Sequence, residues 1–101
     1  MDYRISETAQ GIEIDFIGSF TVADHNRFFD IISLIKNSNE RVLTFNFSKC
    51  DFVDSSALSM LIIANDEACL RDIALVIRGA TGKARSIMLG AKFDNFYTFK
   101  D

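Results

Sequence analysis

The sequence contains no proline and no tryptophan, only two cysteines and a single histidine. Because proline-rich linkers and internal repeats are both absent, nothing marks a domain boundary, and we expect one domain over residues 1–101. Cys50 and Cys69 lack the paired spacing of a zinc site or a redox motif. We therefore expect both thiols to be reduced, packed in or near the core, and without a reactive role.

A large excess of charge of either sign is also absent. The net charge is −3, and the basic residues are scattered, whereas nucleic-acid-binding proteins usually present a clustered basic face. No apolar run approaches the roughly 20 residues that span a bilayer, and the first residues do not resemble a signal peptide. The composition predicts a cytoplasmic protein that meets other proteins, with no nucleic-acid partner and no membrane insertion.

The chain does contain an alternation of strand and helix patterns. Polar and apolar residues alternate in Tyr3–Thr8 and Gly11–Ile17, which predicts an N-terminal hairpin with an edge strand. The further predicted elements are helices over Val22–Lys36 and Ser56–Leu70, a helix with the apolar stripe Ala84, Ile87, Met88 and Ala91, and strands over Val42–Phe47, Ile73–Ile77 and Phe96–Phe99. The apolar strand Val42–Phe47 is expected to be covered on both faces. The order β-β-α-β-α-β-α-β predicts an α/β domain with a mixed sheet and parallel later strands.

The most informative segment joins the central strand to the second helix. Asp54-Ser55-Ser56 places two hydroxyls at a helix N-terminus, where free N–H groups and the helix dipole favour negative charge. These residues allow two interpretations. Either Asp54 or Ser55 only caps the helix, contributing about 1 kcal/mol, or a serine carries a phosphate that acts as a switch.

The start of the first helix has a related pattern. Thr21 is followed three positions later by Asp24, which is the spacing of a capping box, in which each side chain binds the other residue's backbone N–H. The sequence therefore predicts a capped N-terminus for this helix as well.

The twelve residues Phe-Ser-Lys-Cys-Asp-Phe-Val-Asp-Ser-Ser-Ala-Leu, from Phe47 to Leu58, resemble the signature of the STAS family of anti-sigma-factor antagonist domains. In that family a strand and a loop lead to Asp-Ser-Ser/Thr-Gly-Leu at the start of a helix. The likeness extends over nearly the whole chain, and Gly18, Gly79 and Gly90 stand where family members often have glycine. The resemblance implies a single STAS-like domain.

Two positions depart from the family pattern. Ala57 stands where the motif usually has glycine. Many phosphorylated members carry an aspartate at the position of Thr21, and here the nearest acidic residue is Asp24, one helical turn later.

The resemblance implies a catalytically inert, phosphorylation-gated switch in bacterial signalling and transcription regulation. The unmodified protein would bind a partner kinase of the histidine-kinase-like ATPase type that also acts as an anti-sigma factor, and a PP2C-type phosphatase would reverse the modification. The phosphorylated residue would be Ser55, with Ser56 as the alternative acceptor. The residues expected at the partner interface are Thr21, Asp24, Asp54, Ser56, Ala57, Ser59 and Ile63. No cofactor and no metal are expected.

Two other classes of function remain open. The chain can be a STAS subunit of a transport or other multiprotein assembly, which binds an ATPase or permease without being phosphorylated. An enzyme is disfavoured, because Gly79–Lys83 lacks the spacing of a phosphate-binding loop, and Asp51 and Asp54 have no third metal ligand in view. His25 has polar neighbours and is expected to be a solvated surface residue.

Overall fold

Five strands lie in the sheet in the same order as in the chain. In the computed structural model, which describes residues 1–100, the elements are β1 (Asp2–Thr8), β2 (Gly11–Phe20), α1 (His25–Lys36, preceded by a 3-10 turn over Val22–Asp24), β3 (Val42–Val53), α2 (Ser55–Leu70), β4 (Ala74–Arg78), α3 (Gly82–Gly90), a 3-10 turn over Phe93–Asn95, and β5 (Thr98–Lys100). β1 pairs with β2 in antiparallel register, and the other neighbouring strands are parallel. The predicted element order and the mixed sheet are confirmed.

The helices cover only one face of the sheet, and the opposite face is mostly half exposed, with Val76 of β4 buried in it. In β3 the side chains of Leu43, Phe45 and Phe47 are fully buried, whereas the residues between them are partly exposed. The expectation that this strand is covered on both faces was wrong. Each crossover from β2 onward moves to the next strand in the same direction, so right-handed connections place all three helices on the same side.

Phenylalanine rings join this covered face to the first helix. The Phe16 ring of β2 lies 4.7 Å from the Phe47 ring and 5.2 Å from the Phe45 ring, measured between centroids. The Phe28 ring of α1 lies 5.2 Å from Phe20 at the end of β2. Aromatic contacts of this kind add to the free energy of burial, so they help to hold α1 against the sheet.

β3 continues well beyond the strand that the sequence predicts. It pairs with β2 up to the contact of Phe20 with Val53, through two shifts of register, one of them next to Gly18. Gly18 has a φ of +89°, which glycine adopts at little cost. Residues 48–53, which the sequence does not predict to be strand, therefore extend β3, and β2 and β3 end together.

The C-terminal aromatic residues Phe93 and Tyr97 pack into the core. Tyr97 is buried, and its hydroxyl donates a hydrogen bond of 2.6 Å to the carbonyl oxygen of Leu61 in α2. Burial raises the pKa of Tyr97 well above its usual range, so the hydroxyl keeps its proton as a donor. Phe93 stacks on Tyr97, while Phe96 is half exposed.

Two single-residue expectations differ from the structure. Cys69 is exposed near the end of α2, whereas Cys50 is buried as expected. Ala91 is also exposed, because α3 ends at Gly90 and the chain then turns away from the core.

Removing the central ring should test this description of the core. We expect Phe16→Ala to lower the free energy of unfolding by about 3–5 kcal/mol, because the lost ring leaves a cavity among four other aromatic side chains. Leu70→Ala is the control, since Leu70 is 82% exposed and should change stability by less than about 0.5 kcal/mol. Urea unfolding of both variants measures the difference, and equal losses would contradict the assignment of the core.

Candidate functional site

Asp54 connects the beginnings of two helices. Its Oδ1 accepts a hydrogen bond of 2.8 Å from the Ala57 N–H in the first turn of α2, and its Oδ2 accepts one of 3.1 Å from the Val22 N–H. Its own N–H donates to the carbonyl oxygen of Phe20 at 3.2 Å. Since β2 and β3 end together, α1 and α2 begin side by side and run in the same direction.

This geometry separates the roles of Asp54 and Ser55. The Asp54 side chain supplies the N-cap, so the helix begins at Ser55 and needs no hydroxyl from it. Ser55 is exposed, whereas Ser56 is half buried. The structure therefore favours Ser55 over Ser56 as the hydroxyl that another protein can reach.

Ser55 heads a line of exposed residues along α2. Ser59 lies one turn further and donates a hydrogen bond of 3.2 Å to the Ser55 carbonyl oxygen. Ile63 lies one turn beyond Ser59 and is 49% exposed. Residues four apart share a helix face, so these three predicted site residues form one edge of α2.

The capping box predicted at Thr21 and Asp24 is present, and it caps the 3-10 turn that leads into α1. Thr21 Oγ1 accepts a hydrogen bond of 3.3 Å from the Ala23 N–H, and Asp24 Oδ2 accepts one of 2.8 Å from the Thr21 N–H. The α-amino group of Met1 donates to the other carboxylate oxygen of Asp24. Burial alone would raise the pKa of Asp24, but these hydrogen bonds outweigh it and hold the pKa below its usual value.

Two of the predicted interface residues lie beneath the surface. Asp24 is only 6% exposed, with both carboxylate oxygens bonded inside the domain, and Ala57 is fully buried. A direct contact of either residue with a partner stays a prediction, and it would require the surface to open. Ala57 directs its methyl group into the core, so its departure from the family's glycine leaves the outer surface of α2 unchanged.

Sequence reasoning missed the contribution of Val22, His25 and Phe29, from α1 and the turn before it, to this surface. Val22 is 62% exposed and Phe29 is 53% exposed, and the His25 ring contacts Phe29 edge-on at 4.8 Å. A signal for Phe29 was available, because Phe28 occupies the inward stripe of α1 and its neighbour must then point to one side. The expectation that His25 lies at the surface is confirmed.

Nothing in residues 1–100 brings three or more histidine, cysteine or acidic side chains together as metal ligands. Burial raises the pKa of the Cys50 thiol, which disfavours the reactive thiolate. A surface depression of about 640 Å³ lies at the opposite ends of α1 and α2, between residues 38–41 and 70–72. No helix in the described part of the chain has the length and apolar character to cross a bilayer.

A family model of the STAS domain matches residues 4–101. The chain belongs to the STAS domain family. This membership accounts for the strand–aspartate–serine–helix arrangement around Asp54 and confirms the resemblance seen in the sequence. Comparison with curated protein sequences gave no match.

Solved structures share the STAS fold of this chain at low sequence identity. An anti-sigma factor antagonist from Mycobacterium paratuberculosis has a TM-score of 0.85 at 10% identity, with 98% of this chain and 84% of that chain covered. The Bacillus cell fate determinant SpoIIAA in its phosphorylated form has a TM-score of 0.73 at 14% identity, with 97% and 90% covered. A sulfate transporter family protein from Wolinella succinogenes has a TM-score of 0.76 at 13% identity, with 88% and 75% covered.

The two roles at the helix N-terminus can be separated by mutation. We expect Asp54→Ala to lower the free energy of unfolding by about 1–2 kcal/mol, because it leaves the Ala57 and Val22 N–H groups without their acceptor. Ser55→Ala should change it by less than about 0.5 kcal/mol. Urea unfolding of the two variants measures this, and a larger loss for Ser55→Ala would show that the serine is the structural residue.

The buried carboxylate of Asp24 should make stability depend on pH. Its lowered pKa means that the charged form stabilises the folded state above the unfolded pKa of about 3.9, and that this contribution is lost as the pH falls through the folded pKa. Asp24→Asn should therefore be less stable than the parent at pH 7, with a difference that narrows toward pH 2. Urea unfolding of both proteins, each with a free α-amino group at Met1, gives their free energies of unfolding across this pH range. A difference between the two that widens on acidification would contradict this prediction.

Proposed function

We propose that this STAS domain is a non-enzymatic protein-interaction switch of the anti-sigma-factor antagonist type. Its unmodified form binds a partner kinase of the histidine-kinase-like ATPase type, which also serves as an anti-sigma factor. Phosphorylation of Ser55 weakens that complex, and a PP2C-type phosphatase restores it. Membership of the STAS family and the shared fold of known antagonists support this proposal.

The exposed hydroxyl of Ser55 is the observation on which the proposal rests. The first-turn serine has no capping task, because the Asp54 side chain already caps the helix at the Ala57 N–H. It stands at the surface, where the active site of another enzyme can reach it. A serine that only stabilised the helix would occupy the cap position itself.

A phosphate at Ser55 would be tolerated by the domain but not by a covering partner. It adds about −1.5 to −2 charges and three acceptor oxygens, and the N-terminus of α2 presents unpaired N–H groups and a favourable dipole. A partner packed over Ser55 would have to desolvate this charge beside the carboxylate of Asp54. The switch is therefore a change in interface electrostatics with no need for a change of fold.

A subunit role in a transport assembly is the second candidate. The structural likeness to a sulfate transporter family protein supports it, as does Thr21 at a position where many phosphorylated members carry an aspartate. In this role the same exposed edge of α2 would bind an ATPase or permease permanently, and Ser55 would stay unmodified.

Mass spectrometry of the protein from its native host distinguishes the two roles. We expect one phosphate on Ser55 that phosphatase treatment removes, because this hydroxyl is the accessible one at the helix N-terminus. Ser56→Ala is the matched control and should still carry the phosphate, whereas Ser55→Ala should not. An unmodified protein under all growth conditions, purified together with a permease or transport ATPase, would establish the subunit role instead.

The effect of charge on binding can be measured directly. The ligand is the ATPase that co-purifies with the Ser55→Ala variant. We expect Ser55→Asp to bind this ATPase at least about tenfold more weakly than Ser55→Ala does, a difference of about 1.4 kcal/mol in binding free energy. Both variants should unfold at similar urea concentrations, since the position is exposed. Isothermal calorimetry gives the two affinities, and equal values would refute the gating of the interface by charge.

A further inference from the structure

An exposed apolar surface runs beside Ser55 along the line where α1 and α2 meet. We call it the α1–α2 strip and define it as Val22, His25, Phe29 and Ile63. Its three apolar members are about half exposed or more, at 62%, 53% and 49% for Val22, Phe29 and Ile63. Contiguous exposed apolar side chains on a small domain indicate an interaction site.

The shape of the strip suits a protein surface and not a small ligand. Phe28, Ile32 and Met60 form the floor of the groove between the two helices. The free space above them is about 20 Å³, whereas pockets for organic ligands usually hold about 300–1,000 Å³. Only shallow side-chain packing across the two helices is possible there.

The strip is continuous with the candidate phosphorylation site. Its α2 side continues the edge formed by Ser55 and Ser59, and its α1 side begins at Val22, whose N–H is bonded to Asp54 Oδ2 at 3.1 Å. At the far end the two helices are joined by an ion pair between Lys36 and Glu67, at 3.9 Å. A partner that covers Ser55 therefore also meets exposed apolar surface.

The charges beside the strip restrict the partner further. α2 contains no lysine or arginine from Ser55 to Leu70, whereas the exposed Asp66 lies within it, and Asp51 and Asp54 precede it. The charge of Glu67 is balanced by its ion pairs with Lys36 and Arg71. The side of the strip formed by α2 is therefore acidic. A partner segment bearing acidic residues would be repelled there, and basic or uncharged residues are complementary.

We propose that the α1–α2 strip is the anchor through which the partner of the proposed switch docks. The partner places an apolar ridge, flanked by basic or uncharged side chains, on Phe29 and Ile63, while Ser55 controls one end of the contact. This inference rests on the proposed function and adds the anchor to it. Binding then has two separable parts, because Ile63 lies eight residues, or about 12 Å of helix, from Ser55.

Site-specific photo-crosslinking in the native host tests the anchor and the proposed function separately. The photoreactive residue p-benzoylphenylalanine is placed at position 29, 63 or 59 of the Ser55→Ala protein, and at position 5 as an exposed apolar control on the edge strand β1. We expect positions 29, 63 and 59 to capture one and the same ATPase, one that phosphorylates the unmodified protein on Ser55, and position 5 not to capture it.

Each other result overturns the anchor in a distinguishable way. Capture from position 59 but not from 29 or 63 leaves the switch intact and removes the anchor. If the photoreactive residue at positions 29 and 63 instead gives an adduct of twice the mass of this chain, the strip joins two copies of the protein. The absence of any adduct, including at position 59, argues against the proposed function and therefore against its anchor.

Affinities for the captured ATPase give the quantitative test. In the Ser55→Ala background we expect Phe29→Ser and Ile63→Ser each to weaken binding about tenfold, and Ile5→Ser, the control, less than about twofold. Sites this far apart act nearly independently. Ile63→Ser should therefore lower the affinity for the ATPase by the same factor in the Ser55→Asp background as in the Ser55→Ala background. Unchanged affinity in both strip variants, with unfolding midpoints showing that they are folded, would overturn the anchor.

Discussion

The carboxylate of Asp54 is the contact that holds the candidate site together. One oxygen caps α2 through the Ala57 N–H, and the other binds the Val22 N–H at the start of the turn that leads into α1. A single side chain thus fixes two helix N-termini relative to each other. Because Asp54 provides the cap, Ser55 is released from a structural task and its hydroxyl is left at the surface. The chemistry proposed for the serine depends on this division between neighbouring residues.

The one-sided sheet explains why the two helices meet at all. Strands β2 to β5 follow one another in space as they do in sequence, so every right-handed crossover places its helix on the same face. α1 and α2 become parallel neighbours whose N-termini lie at the same edge. The bulges that let β2 and β3 end together then bring Phe20 and Val53 side by side, and both helices begin from that point. The α1–α2 strip is a consequence of this arrangement, since it needs side chains from both helices.

Much of the fold was predictable because the periodic patterns are local. The order of strands and helices, the capping box of Thr21 and Asp24, and the inward face of α1 all follow from spacing within a few residues. The errors arose where a distant segment decides the outcome. Val42–Phe47 is apolar enough for a strand covered on both faces, but the direction of the crossovers leaves one face open. The length of β3 beyond Phe47 depends on its pairing with β2, which no local pattern reveals.

For the site, the sequence alone determined the chemical groups and their position along the chain: an aspartate followed by two serines at the start of a helix, in a motif that belongs to the STAS family. It did not determine which of these residues would cap the helix, which serine would face outward, or that Asp24 and Ala57 would be buried. The tertiary structure decided these points, because exposure and hydrogen-bond partners depend on which segments pack together. Val22 and Phe29 became part of the surface around Ser55 only when α1 was placed beside α2, a contact between elements far apart in the chain.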